Sequence, residues 1–437
     1  VMSINIDFNN RESLEVSQFE LNNTLDWLAP VKTEALTHFK LAKLPNRKVE
    51  HWKYNEMFFL QDNLFQLNEA LPSDSVLIEN TSGISLDNTI DLTFVDGDLI
   101  TSLKSLSSVD GLTITQFKNT NQAQQKIILS QVDSKLNQKN LLVNLNESIL
   151  KDGLLIEVSK NIIVENPIYL RYFSSSKNKK CISSNKVIVS IGQSSQMTLI
   201  EQFDSDTQST EQLSLQQTSI ELSENSQLSH YRLNLEFETA RQMSQVKTNL
   251  HKNSILNSFY LGLGSLLNRT DIDVVHVGQN AEAIIKGIYL PSNSQSIDYH
   301  TNIEHRVAHC NSNEVFRGII ADQSTATFNG KIHIFRDAQK SDAYLNNKNL
   351  LLTNQATINT KPELEIYADD VLCAHGATVA QLDDEAVFYM QTRGLSKQQA
   401  KKALSIGFVQ ELLNDIKIEP IKMFLTNILE KHMSKQD

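Results

Sequence analysis

Three textures of apolar and polar positions follow one another along the chain. Between about residues 141 and 378 they alternate in short runs, as in Lys186-Val187-Ile188-Val189-Ser190-Ile191, Thr218-Ser219-Ile220-Glu221-Leu222, Ala283 to Tyr289 and Gly330-Lys331-Ile332-His333-Ile334. A period of two belongs to strands with one buried face, and no helical period runs through this region over a useful length. Small polar corners separate the runs, beginning at Gly192, Ser223, Gly278, Asp322 and Thr353, at intervals of 31, 55, 44 and 31 residues. An irregular step near 30 suits a solenoid whose coils each supply several short strands. A β-sandwich would instead show turn signals about every 8–12 residues, with Asn-Gly or Asp-Gly hairpins among them. Only Asp152-Gly153 and Asn329-Gly330 carry those dipeptides here, so the pattern favours a mainly β chain built on a β-helix.

The flanks read differently. Residues 1–140 mix helical and short extended segments. Thr33 to Leu44 reads as a helix with Thr33 as N-cap and Pro45 as its stop, and Leu92 to Gly97 as a strand ending in a turn. Residues 379–437 are helical. Ser396 and Gln399 form a capping box with Leu395 as staple, and Ala400, Leu404, Phe408, Leu412, Leu413 and Ile416 mark one apolar face. A second helix starts at Pro420 and carries Ile421, Phe424, Leu425, Ile428 and Leu429 at helical spacing. Short helices gain most of their stability from packing. Both faces therefore pack on the β region or on each other, or else Leu404, Phe408 and Leu412 meet a partner. The expected division is an N-terminal mainly helical domain (1–140), a β-helix core (141–378) and a C-terminal helical domain (379–437).

Charge and composition narrow the function. A net charge of −11 argues against a nucleic-acid binder, which would show a basic stripe. The sequence has no run of about 18 apolar residues, hence no expected membrane span. It shows no secretion signal, which points to a cytoplasmic setting. Three widely spaced cysteines, Cys181, Cys310 and Cys373, are no disulfide framework, so the compartment is expected to be reducing.

Candidate chemistry is sparse. In a strand, Cys373 and His375 share a face and present sulfur beside nitrogen, a pairing that suits iron, zinc or copper(I). Two ligands are too few for a closed site, so others would come from another chain. The alternative is a buried, inert cysteine beside a hydrogen-bonded histidine. His300, His305, His309 and Cys310 lie close in sequence but match no metalloprotease spacing. A self-contained metal site there competes with packing and hydrogen bonding between coils. Because β-helices host polysaccharide lyases and hydrolases, Asp369-Asp370 and Asp383-Asp384 are candidate acid–base pairs, but adjacent strand residues point to opposite faces. Phosphate-binding signatures are missing, so nucleotide hydrolysis would fall to a partner.

From about residue 275 an ordered set of motifs runs over residues 286–395. It comprises Lys286-Gly287-Ile288-Tyr289, Asp298-Tyr299-His300, His305 to Cys310, Phe328 to Ile332, Ala338 to Ala343 and Asn346 to Leu352. It continues with Lys361 to Val371, Cys373-Ala374-His375-Gly376-Ala377-Thr378, Phe388-Tyr389 and Arg393-Gly394-Leu395. Near the N-terminus stands Glu50-His51-Trp52-Lys53-Tyr54. In this set the chain resembles the SufB/SufD family of iron–sulfur assembly proteins, and its SufD branch more than SufB, since Glu50 to Tyr54 is similar to a SufD N-terminal signature. The resemblance implies a right-handed parallel β-helix flanked by helical domains. It implies pairing with a SufB-type subunit, or a homodimer when alone, and a SufC-type ABC ATPase docked on the C-terminal helices. It also implies a non-catalytic scaffold that carries no cluster alone. A transient iron–sulfur cluster would form at the subunit interface, with His375 as one ligand and Cys373 as a second candidate.

Overall fold

The computed structural model describes all residues except 1–4, 16–24, 55–56, 62–63, 68–82, 85, 87, 106–108, 133–140, 176–179, 207–210 and 435–437. Its frame is two long sheets of parallel strands stacked coil upon coil. One sheet carries Cys181–Ile191, Leu213–Leu222, Arg241–Leu250, Leu267–His276, Ser296–His305, Thr325–Ile334 and Thr357–Ile366 in that order. The other carries Ile168–Ser174, Gln196–Ser205, Gln227–Asn234, Ile255–Gly262, Glu282–Tyr289, Asn311–Ile320, Asp342–Leu351 and Leu372–Gln381. Through this region successive strands alternate between the sheets, which makes the fold a parallel β-helix.

Each strand sends one row of side chains into the lumen and the next row outward. Pairing is in register, so like positions stack into columns that run the length of the solenoid. Apolar columns with Val189, Ile220, Tyr260, Tyr299, Phe316 and Phe328 fill the lumen. Some of the polar groups buried among them are held by partners in other coils. The Glu201 carboxylate accepts hydrogen bonds from Arg232 at 2.7 Å and Thr218 at 2.8 Å, and meets His230 at 2.9 Å. Burial pushes its pKa up, but Arg232, His230 and Thr218 outweigh that and hold it at about 2.

The corners explain the irregular repeat. A left-handed residue occurs once per coil at Asn161, Ser194, Asn225, Asn253, Asn280, His309 and Lys340, every 27–33 residues. The interval of 55 in the sequence spans two coils. The corner between them lies in His251-Lys252-Asn253, without the run of small polar residues that marks the others. The interval of 44 crosses to a second row of corners, formed by Ser265, Asn293 and Asp322. Asparagine tolerates the left-handed region, and its amide serves here as a rung. Asn253 donates to Asn225 at 2.8 Å and Asn280 to Asn253 at 3.2 Å.

At the N-terminal end antiparallel pairs close the sheets: Ile90–Val95 with Asp98–Leu99, and Leu112–Gln116 with Leu154–Val158. Ile90–Val95 matches the strand read from the sequence, and it continues the second sheet by pairing in parallel with Ile168–Ser174. The helix read from Thr33 to Leu44 runs from Ala29 to Leu41, with Pro30 in its first turn. Proline suits that position because its fixed φ is helical. Thr33 is not its cap, since its hydroxyl bonds back to the Ala29 carbonyl.

The C-terminal helices are Asp384–Thr392, Lys397–Asn414 and Glu419–Ser434. Ser396 and Gln399 form the expected capping box. The first of the three lacks the spaced apolar face that marks the other two, and only its Val387 is buried. Val409, Leu412, Leu413, Ile416, Ile421, Leu425 and Leu429 pack on the outer face of the second sheet against Phe259, Leu261, Ile288 and Ile319. The apolar faces of the longer helices are thus largely spent on the chain's own β region.

Two measurements test this frame. Asn253→Ala is expected to lower the unfolding free energy by about 1–2 kcal/mol in a urea titration, because alanine keeps a Cβ in the left-handed region but loses the amide that eases that conformation and bonds to Asn225 and Asn280. Asn253→Gly is expected to lose less. The second measurement concerns Glu314, fully buried in the lumen, where burial pushes its carboxyl up to about 8 although Thr301 pulls it down. An unfolded glutamate ionises at roughly 4.3, so this group removes stability as pH rises from there through about 8. Glu314→Gln is expected to stabilise the fold at pH 8 and to change it little at pH 4, read as unfolding midpoints at the two pH values.

Candidate functional site

Neither sheet is closed at its C-terminal end by the described residues. Thr357–Ile366 pairs on one side only, with Thr325–Ile334, and Leu372–Gln381 pairs only with Asp342–Leu351. The core columns therefore run out into solvent. Ile366, in register with fully buried Ile334, is 41 % exposed, and Val379, in register with buried Asn349, is 49 % exposed. Leu372 and Tyr367 beside them are more than half exposed.

Cys373 and His375 stand on this last strand and do share a face. Register puts Cys373 over Ala343 and His375 over Leu345, both core residues, so both lie on the lumen side of the strand. The His375 column descends through Leu345, Glu314, Ile285, Ser258 and His230. Cys373 packs partly against the apolar core. Burial, and then the Asp342 carboxylate, push its thiol pKa up, which disfavours the thiolate that binds metal. His375 is exposed because no further coil of the described residues covers its column.

A polar network lies just below. The Tyr289 hydroxyl donates to Asn349 at 2.5 Å and accepts from Asn347 at 2.9 Å, and Asn349 donates to Asn347 at 2.7 Å. Thr360 reaches across from the opposite sheet to Asn347 at 2.8 Å. These bonds tie the strands Glu282–Tyr289, Asp342–Leu351 and Thr357–Ile366 together beneath the exposed histidine. Sequence reasoning missed them. The available signal was three asparagines in Asn346-Asn347-Lys348-Asn349, just before the apolar Leu350-Leu351-Leu352.

The second constellation does not converge. His300 lies on the outer face, 2.8 Å from Asp298. His305 is buried in the lumen, stacked on His276 and bonded to Ser312 at 2.9 Å. His309 sits at a left-handed corner, and Cys310 is buried with its thiol donating to the Gly278 carbonyl at 3.4 Å. The physical reason is the pleat and the corner, which send neighbours in sequence to opposite sides of the wall. Among the described residues no three His, Cys, Asp or Glu side chains gather to hold a metal ion.

The other readings resolve similarly. Asp370 sits at a corner paired with Lys340. Asp383 and Asp384 both border an open surface hollow beside Phe388 and Tyr389, but the Asp383 carboxylate is engaged as the cap of the helix Asp384–Thr392, accepting from the Glu385 N–H at 2.9 Å. Leu412 is 2 % exposed within the sheet–helix core and has no surface to offer a partner. The sequence pattern marks an apolar helix face, but which side meets the sheet is settled only by packing. Phe408 is half-buried against the same cluster, while Leu404 is half-buried outside it. Phe388 and Tyr389 on the preceding helix are the exposed pair, at 67 % and 57 %.

The N-terminal signature has a structural use. Glu50–Trp52 is a short 3-10 turn lying on the outer face of the first sheet. The Arg269 guanidinium stacks 3.9 Å from the centre of the Trp52 ring and donates to the His51 carbonyl at 2.7 Å. Glu50 pairs with Lys361 on the terminal strand. The motif thus fastens the N-terminal region across several coils, up to the open end.

Comparison with known proteins places the chain among its relatives. The family model described as SUF system FeS cluster assembly, SufBD core domain, matches residues 172–408, and the SufBD protein N-terminal region matches 15–170. Iron–sulfur cluster assembly protein SufD of Escherichia coli is 38% identical over 166 residues, which is 38% of this chain and 39% of that protein, well under half of its length. An iron–sulfur cluster assembly SufBD family protein of Synechocystis is 24% identical over 388 residues, covering 87% of this chain and 85% of its own. The chloroplastic protein ABCI7 of Arabidopsis thaliana is 24% identical over 381 residues, covering 84% and 78%. With a core-domain match over more than half of its length, on a parallel β-helix flanked by helices, the chain belongs to the SufBD family of the SUF iron–sulfur cluster assembly system.

Proposed function

We propose that the chain is a scaffold subunit on which iron and sulfide are brought together, with no turnover chemistry of its own. The observation that carries this reading is the open end of the solenoid, where His375 continues a core column into solvent between two unpaired strand edges. Unpaired edges are templates for further strands, and solenoids need their ends covered. A SufB-type subunit with its own solenoid end would cover this one, extending the columns and drawing His375 into a dry interface. A second copy of the chain would occupy the same end when that partner is missing.

The nascent cluster is cargo held briefly at that interface. The His375 imidazole supplies one ligand, and a thiolate from the partner supplies another. Cys373 lies two residues away with its thiol disfavoured as thiolate, so its role in this reading is to pack the neighbouring column. Iron and sulfide need access, and a partner ATPase of the SufC type would open the interface from the helical region. The surface for that docking is the exposed pair Phe388 and Tyr389, with half-buried Leu404 on the next helix. The setting is cytoplasmic in this reading; no helix of the described residues is long and apolar enough to cross a membrane.

Anaerobic co-expression with both partners, reading visible absorbance, iron and sulfide, tests the ligand. His375→Ala is expected to lower cluster occupancy by roughly 10-fold or more, the scale on which losses in a metal's ligand shells act. Normal loading would remove His375 from the site. The docking surface is tested by Phe388→Glu combined with Leu404→Glu. Co-purification of the ATPase is expected to fail while the melting temperature of the core stays unchanged, and an unchanged pull-down would place docking elsewhere.

A further inference from the structure

In the reading above, an ATPase acts at the helical region while the ligand stands at the open end of the solenoid. A continuous set of contacts joins the two places. Glu411 and Asp415 lie four residues apart where the helix Lys397–Asn414 ends, and so on one face. Asp415 pairs with Lys286, and Glu411 lies 3.9 Å from Arg317. Lys286 and Arg317 belong to neighbouring strands of the second sheet, Glu282–Tyr289 and Asn311–Ile320, on its outer face. Pairs with an exposed partner stabilise a fold little, so their use lies in where they lead.

They lead toward the last strand. Lys286, Val315, Asn346 and Gly376 form one in-register outward row, and Gly376 is the neighbour of His375. The Arg317 side chain is only 7 % exposed and donates to the Asn346 carboxamide oxygen at 2.8 Å. A Cβ on Gly376 would lie 3.5 Å from the Asn346 nitrogen, so that amide rests against the backbone beside His375. On the lumen side the next residue, Asn347, is held by Tyr289, Asn349 and Thr360. The strand next to His375 is therefore gripped on both faces. A guanidinium fork suits the outer grip, because its planar donors can face the helix and the strand together, which an ammonium does less well.

We propose that Arg317, acting through Asn346, is a positioning residue that transmits movement of the C-terminal helices to the strand bearing His375. The inference rests on the proposal that the ATPase docks on those helices, and it names the route by which docking reaches the ligand.

The test is hydrogen exchange of residues 372–381 in the complete complex with and without ATP, alongside ATPase stoichiometry, hydrolysis rate and cluster formed per ATP. In the unsubstituted complex ATP is expected to raise exchange in this strand by roughly 5-fold or more, the lower end of typical coupling between sites. Arg317→Met is expected to keep ATPase binding and hydrolysis and to keep the exchange rate measured without ATP. It is expected to lose the ATP-dependent increase along with most of the cluster formed per ATP. Asn346→Ala is expected to do the same. Should Arg317→Met fail to fold, the exposed double change Glu411→Gln with Asp415→Asn is expected to weaken the increase without touching the core. Retention of the full ATP response in Arg317→Met overturns the proposal, and so does a uniform rise in exchange with and without ATP, which marks a purely structural role. An unsubstituted complex that binds the ATPase but shows no ATP response also overturns it. Failure of that complex to bind the ATPase overturns the docking reading, and the proposal with it.

Discussion

In-register stacking of parallel coils is the constraint on which the rest of the structure depends. Each coil offers its row of backbone donors and acceptors to the next, and the pleat fixes which side chains share a column. A shift of one residue would exchange lumen and surface along a whole strand. Register is held by more than apolar packing. Glu201 with Arg232 and His230, the Tyr289–Asn347–Asn349 network and the asparagine rungs at the corners each have partners in other coils. Moving any of the buried ones out of step would leave a polar group unpaired, which costs more than the bond itself contributes.

The same constraint creates the site. A column has no natural last member; it ends where the chain leaves the solenoid. At the N-terminal end antiparallel pairs cover the first coils, and Phe8, Phe39 of the helix Ala29–Leu41 and Phe65 of a short strand pack against Leu213, Leu215 and Met243 of the first sheet. At the C-terminal end the chain turns away into helices that lie along the outer face of the second sheet and not across the opening. His375 occupies a position that is buried in the coils beneath it, and there it meets solvent. Its placement is that of a core residue awaiting its cover, which is why a partner surface is the natural complement.

Surface elements are fastened to the wall of the solenoid by a few directed contacts. Trp52 stacked on Arg269 holds the N-terminal signature, and His432 bonded to the Leu290 carbonyl holds the last helix. Lys361, on the terminal strand, is shared by Glu50 and Glu363. The open end is thus linked to the N-terminal region on one sheet and, through Asn346 and Arg317, to the C-terminal helices on the other.

The strand period, the solenoid, the helical tail with its Ser396 cap and the family are all legible along the chain, because each is a local pattern or an ordered set of motifs. Cys373 and His375 fall on one face for the same reason, since alternation along a strand is a two-residue rule. Coil length is legible only roughly, because Asn253 turns a corner among large polar residues and two separate rows of corners interleave. What alternation cannot reach was left to the stacking of coils. Stacking scattered His300, His305, His309 and Cys310 between wall, lumen and corner, turned Leu412 into the core, and brought Asn346 of one coil against Gly376 of the next. Those outcomes depend on which coil lies above which and on where the stack ends, and both are set by hydrogen bonds between residues about thirty apart in the chain.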